Sequence, residues 1–152
     1  MKNKLKTALS AIKSGAPIEE ASRDVDWKDF EGLVAEILES KNFEVTRNFR
    51  MKKPTMEIDV VGMHLDTAVL IDCKHWKRMS DSALEKIVLK QIERVKHSVA
   101  TTNETMAAPV IVTLYQEATK LVNRVPIVPI IQFSSFIDEF YGNLEDIRIV
   151  KK

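Results

Sequence analysis

One stretch constrains the fold more than any other: Ala68-Val69-Leu70-Ile71 runs unbroken and apolar into Asp72-Cys73-Lys74. A short aliphatic run of this kind is buried on both faces, as a strand covered on each side by other elements is. Acids are depleted within strands, so Asp72 at the end of such a run needs a reason of its own. Because side chains alternate along a strand, Asp72 and Lys74 share one face and Cys73 points to the other. Upstream, Glu57-Ile58-Asp59-Val60-Val61 predicts a strand to Met63, and His64-Leu65-Asp66 a tight turn into a strand over 67–74. That hairpin brings Asp59 beside Asp72 and Lys74.

The neighbouring patterns supply the rest of a sandwich around these strands. Asp26 is placed to cap a helix over 27–40, with Phe30, Leu33, Val34, Ile37 and Leu38 at helical spacing. Alternation from Phe43 to Phe49 predicts a further strand, giving an antiparallel meander of three. Ser80 and Asp81 cap a long helix to about Ala100, whose stripe is Leu84, Ile87, Val88, Ile92, Val95 and Val99. Beyond it the pattern predicts a strand over 109–114, a helix over 116–123, a strand over 127–133 and a helical turn over 135–141. The order helix, three strands, helix, strand, helix, strand defines an α/β domain. Residues 26–152 are expected to form it, with residues 1–25 as an N-terminal amphipathic helix (Leu5, Ala8, Leu9 and Ile12, stopped by Gly15 and Pro17) and a connector.

Charge and composition narrow the function. Across 152 residues, Lys plus Arg number 23 against 22 for Asp plus Glu, a net charge of +1, so any grip on a polyanion must come from a local patch. The single cysteine, Cys73, excludes an intrachain disulfide and a multi-cysteine zinc site, and makes the cytoplasm the default location. No apolar run approaches the ~18–20 residues of a spanning helix, so no membrane role is expected.

Asp59, Asp72 and Lys74 together offer oxygen ligands for a hard cation with an ammonium a few ångströms away, a combination suited to phosphodiester hydrolysis. The alternative from pattern alone is a structural ion pair between Asp72 and Lys74. Glu31 lies on the border of the buried face of helix 27–40 and can reach the sheet edge, although its spacing by itself favours a solvated side chain. Glu57 shares a strand face with Asp59 and is a weaker candidate.

These residues resemble the PD-(D/E)xK nucleases, and among them the Mrr-type restriction endonuclease domain. The likeness runs through Asp29-Phe30-Glu31, Phe43-Glu44-Val45, Ile58-Asp59-Val60, Asp72-Cys73-Lys74-His75-Trp76 and Pro109-Val110-Ile111-Val112-Thr113, covering about residues 26–141. The resemblance implies a restriction-endonuclease-like three-layer α/β/α core with a mixed central sheet. It implies Glu31, Asp59 and Asp72 as acids that hold Mg²⁺ or Mn²⁺, Lys74 as the catalytic lysine, and DNA as substrate. Asp72 stands where Mrr-type domains often carry Gln, and matches the wider superfamily. The same core is similar to archaeal Holliday-junction resolvases, so a homodimer cutting branched DNA is a second expectation; a non-catalytic nucleic-acid-binding module and a separate specificity subunit stay open.

Arg47, Arg50, Lys52 and Lys53 fall close together with no acid among them, and His75, Lys77 and Arg78 follow Lys74. They are expected to grip a phosphate backbone without reading sequence. Lys86, Lys90, Arg94 and His97 line up along the long helix among acids and read as an ordinary exposed face. Gln91 on that helix reads as solvated, Cys73 as a core thiol, and Trp76 as packing at a strand end.

Overall fold

A computed structural model of the chain describes residues 26–74, 79–114 and 118–152. The expected N-terminal helix within residues 1–25 lies outside the described residues. The first described element, helix α1 (Trp27–Ser40), begins where Asp26 accepts a hydrogen bond from the Lys28 amide at 2.9 Å. Strands β1 (Glu44–Met51), β2 (Met56–His64) and β3 (Thr67–Lys74) then form an antiparallel meander. Helix α2 (Asp81–Thr101), capped by the Ser80 hydroxyl, crosses over to β4 (Met106–Thr113), which lies parallel to β3. The hairpin β5 (Lys120–Val122) and β6 (Val125–Pro129), helix α3 (Ile130–Asp138) and the short β7 (Val150–Lys151) complete the chain. The strands form one mixed sheet in the order β1-β2-β3-β4-β6-β5, with β7 beside the start of β4.

Both faces of the sheet are covered, giving three layers. On one face Phe30, Val34 and Leu38 of α1, with Phe133 and Ile137 of α3, pack on Val69, Ile71, Val110 and Val112. On the other, α2 packs through Val95 and Val99 on Leu70 and Ala68, and through Ile87 and Val88 on Ile111 and Ile127. This is why β3 reads as continuously apolar: burial extends from Thr67 through Cys73. At Gly62 an added Cβ would stand 3.0 Å from Leu38 Cδ1 and 3.2 Å from Phe43 Cδ2, so any side chain there would make those two residues shift where the end of α1 meets β2. No helix among the described residues is long and apolar enough to cross a membrane.

The second half departs from the sequence expectation in two places. From 118 onward the segment predicted as a helix over 116–123 enters the β5–β6 hairpin, which turns at Asn123 and Arg124 with φ of 51° and 65°. The strand expected over 127–133 ends at Pro129, and Ile130 already opens α3. Ile130, Phe133 and Ile137 are buried at helical spacing, a period hidden in the sequence by the continuous apolar run before them.

Candidate active site

The site is built where β2 parts from its neighbours. The β1–β2 ladder pairs Arg47 with Val60 and Phe49 with Ile58 but skips the position between, where Asn48 faces Asp59. Asn48 takes a left-handed φ of 53°, a conformation Asn tolerates better than most residues. The β2–β3 ladder likewise stops at Val60–Ile71. Strand alternation slips here, so that Val60 packs in the α1-side cluster and Ile58 in the α2-side cluster. Asp59 sits between them, and its Oδ2 takes the Cys73 amide proton at 2.8 Å in place of a ladder carbonyl. Asp59 thus serves as the last rung of the sheet and leans toward the end of β3.

Asp72, 7% exposed, stands across this break on the α2 face. Lys74 Nζ lies 3.2 Å from its Oδ2, and Arg94 Nη1, from α2, lies 3.8 Å from the same atom. Among the described residues no hydrogen bond of ordinary geometry reaches Asp72 Oδ2, so the two cations act on it as nearby charges. Glu31 comes from the α1 layer, 5% exposed, with Arg47 Nη2 4.0 Å from its Oε1. The same Arg47 nitrogen donates to the Lys28 carbonyl at 3.2 Å, tying β1 to the first turn of α1 and fixing where Glu31 stands.

These carboxyls feel one another. Burial pushes Asp59 up to about 7 from an ordinary 3.8. The Cys73 amide opposes that rise; the charges of Asp72 and Glu31 add to it. The Cys73 thiol is fully buried and held well above its ordinary range, first by burial and then by the same acids, which makes it a core group rather than a nucleophile. The acids and Lys74 line an open cleft of ≈ 720 Å³ together with Lys28, Arg47, Glu57 and Arg94. Among the described residues no set of three His, Cys, Asp or Glu side chains is drawn together to metal-coordinating distance.

The family model for a restriction endonuclease catalytic domain of Mrr type matches residues 22–135, well over half of the chain. The chain belongs to the Mrr-type restriction endonuclease family. It is a nuclease domain on a restriction-endonuclease-like fold. None of the curated proteins matches it. Among solved structures, it is similar to the crystal structure of a protein of unknown function, AF1548, at 24% identity and a TM-score of 0.40, over 57% of this chain and 47% of that one. The match thus spans about half of the solved protein.

Within this Mrr-type domain, Glu31, Asp59, Asp72, Lys74 and Arg47 converge on the cleft. Arg50 instead pairs with Glu57 across the hairpin at 3.6 Å and is exposed. Lys52 and Lys53 are exposed on the β1–β2 turn, at the same end of the sheet but outside the cleft lining. His75, Lys77, Arg78 and Trp76 lie outside the described residues.

Two expectations on α2 are corrected. Gln91 is fully buried, its Nε2 donating to the Leu70 carbonyl of β3 at 2.9 Å. Arg94 is not part of an ordinary exposed face: one turn on, its Nη1 donates to Gln91 Oε1 at 3.1 Å and the side chain reaches the cleft. The signal was present in the pattern, since Gln91 falls on the stripe of Leu84, Val88 and Val95, a polar residue where a core residue was due. Lys28 and Asn48 were not anticipated at all, because a helix-start lysine and a mid-strand Asn carry no mark of what they face.

Proposed function

We propose that this domain is a divalent-metal-dependent endonuclease that hydrolyses DNA phosphodiester bonds. Glu31, Asp59 and Asp72 are its metal-holding carboxylates and Lys74 its catalytic ammonium. The observation that carries the reading is the meeting of three buried or half-buried acids, from α1, β2 and β3, around the break in the β2 ladders, with Lys74 Nζ 3.2 Å from one of them. The donor set fits the group: hard carboxylate oxygens suit Mg²⁺ or Mn²⁺. Asp72 Oδ2 is buried without a hydrogen bond among the described residues, and Asp59 is raised first by burial and then by the charges of Asp72 and Glu31, a state that a cation relieves.

A bound divalent cation supplies positive charge to the phosphate oxygens and lowers the pKa of a coordinated water. The chain's own residues do the rest. Asp59 stays anchored through the Cys73 amide, so its position is fixed by the sheet rather than by a flexible side chain. Lys74, paired with Asp72, holds an ammonium at the rim where attacking water or leaving oxygen carries its proton. Arg47 orients Glu31 and meets the phosphate backbone from the β1 side.

The test is plasmid and oligonucleotide cleavage with Mg²⁺, Mn²⁺ or EDTA, comparing the wild type with Asp59→Ala and Lys74→Ala. Cleavage by the wild type with either metal, lost in EDTA and in both variants, is expected; wild-type cleavage by both variants would overturn the assignment.

A further inference from the structure

We propose that Arg94 is a substrate-binding residue of the cleft, contacting the DNA phosphate beside Asp72, and that the buried Gln91 is the positioning residue that aims it. The proposal rests on the nuclease reading above and assigns to α2 a part of the site that the acids and Lys74 do not supply.

Gln91 is fully buried on the apolar stripe of α2, among Leu84, Ile87, Val88, Ile92, Val95 and Val99, with Ser98 the other buried polar residue of the helix. A primary amide in such a place costs stability unless its groups are paired, and here both ends are. Its NH₂ donates to the Leu70 carbonyl of β3, and its carbonyl receives Arg94 Nη1. The amide is therefore a strut from the middle of the sheet to a guanidinium at the rim. Leu or Met at this position would fill the space but lose the hydrogen bond to the Leu70 carbonyl and leave Arg94 without an aim.

Arg94 is about one quarter exposed and lines the cleft. Among the described residues its two polar contacts, to Gln91 and to Asp72, go through Nη1. A guanidinium carries five N–H donors in a rigid planar fork, so fixing one nitrogen sets the direction of the others. Its distance from Asp72 Oδ2, 3.8 Å, is longer than a hydrogen bond, which makes the carboxylate a neighbour rather than a clamp. Lys74 approaches the same oxygen more closely, at 3.2 Å, so Arg94 is not needed to neutralise Asp72. Lys28 and Arg47 flank the cleft from the α1 and β1 side, and Lys74 and Arg94 from the β3 and α2 side. A phosphodiester between them meets cations from both layers of the sandwich.

The test uses the full chain and a fluorescein-labelled DNA duplex in EDTA, read by anisotropy across a salt series, alongside cleavage in Mg²⁺ or Mn²⁺. Arg94→Gln is expected to weaken binding roughly tenfold or more, and to lower the slope of log K against log salt by about 1, as loss of one phosphate contact does. Arg94→Lys keeps the slope but recovers only part of the affinity. Gln91→Met, if folded by circular dichroism, weakens binding in the wild-type background and has no further effect in Arg94→Gln, because its action runs through Arg94. An Arg94→Gln protein with wild-type affinity and salt slope overturns the proposal, as does a wild type that does not bind the duplex. If that variant also cleaves normally, the nuclease reading still stands. If the wild type binds with the expected Arg94 dependence but cleaves nothing, the hydrolytic reading fails while the Arg94 contact remains.

Discussion

Replacing Asp59 by Asn should stabilise this protein at neutral and alkaline pH, and leave it unchanged in acid. The folded-state pKa of Asp59 is raised to about 7 from 3.8, so between those values the folded chain binds more protons than the unfolded one. Its stabilising contribution is complete below about pH 4, is lost as pH rises toward 7, and is flat above. The full difference of about 3 pH units corresponds to about 4 kcal/mol. Asp59 is only partly buried, and screening by solvent reduces that to about 1–2 kcal/mol. Asn is isosteric, keeps an oxygen for the Cys73 amide and carries no charge against Asp72 and Glu31. At pH 8 in EDTA, the Asn variant should therefore melt roughly 2–8 °C above the wild type, at about 2–4 °C per kcal/mol for a domain of this size. At about pH 3, below the unfolded-state value, the two should coincide. Melting followed by circular dichroism at four or five pH values measures this, and taking the difference between the two proteins cancels the histidines. An equal gap at every pH, or an Asn variant less stable at pH 8, would refute the account of Asp59 as a carboxyl raised by burial and by its acidic neighbours.

The same cluster predicts that Mg²⁺ or Mn²⁺ raises the wild-type melting temperature at pH 8 and does so much less for Asp72→Asn; equal shifts in both would remove Asp72 from the ligand set. Lys74→Ala should abolish cleavage while changing stability by no more than about 1 kcal/mol, since its ammonium is partly exposed and Arg94 remains near Asp72; a folded, fully active variant refutes it. Phe30→Ala should cost about 3–5 kcal/mol in denaturant unfolding, because the ring is fully buried between α1 and the sheet. Arg50→Ala, by contrast, removes an exposed pair with Glu57 and should stay within about 0.5 kcal/mol of the wild type.

What the sequence revealed, and what it hid, follows from how each signal is made. The limits of α1 and β3 were readable residue by residue, because a capped amphipathic helix and a doubly covered strand each impose one period over their whole length. The pairing of Asp72 with Lys74 on one face followed from alternation alone. Asp59 was placed beside them by the hairpin, but the way it gets there was invisible. The skipped Asn48–Asp59 rung depends on a left-handed backbone angle at an Asn, which no alternation pattern records. Had the strand alternated regularly, Ile58 and Val60 would share a face, and Asp59 would project from the opposite one. The second half was misread for a different reason. Val125 to Ile131 is apolar throughout, so periodicity could not separate the buried strand β6 from the buried start of α3.

Gln91 and Arg94 show a third limit. A polar residue on an apolar stripe signals burial but not its partner, and a cation on a charged face reads as solvated. They acquire meaning only as a pair linked to β3, because the strut needs the Leu70 carbonyl, and its position is set by how α2 crosses the sheet. The acids and the strut also differ in what they cost the fold. Asp59 holds charge where the fold alone would be more stable without it, whereas Gln91 has both ends of its amide paired. A screen for thermal stability alone should therefore accept Asn at 59 and reject Met at 91, while a screen for cleavage should reject both. Acceptance of Met at 91 in both screens would show that Arg94 needs no support from the core.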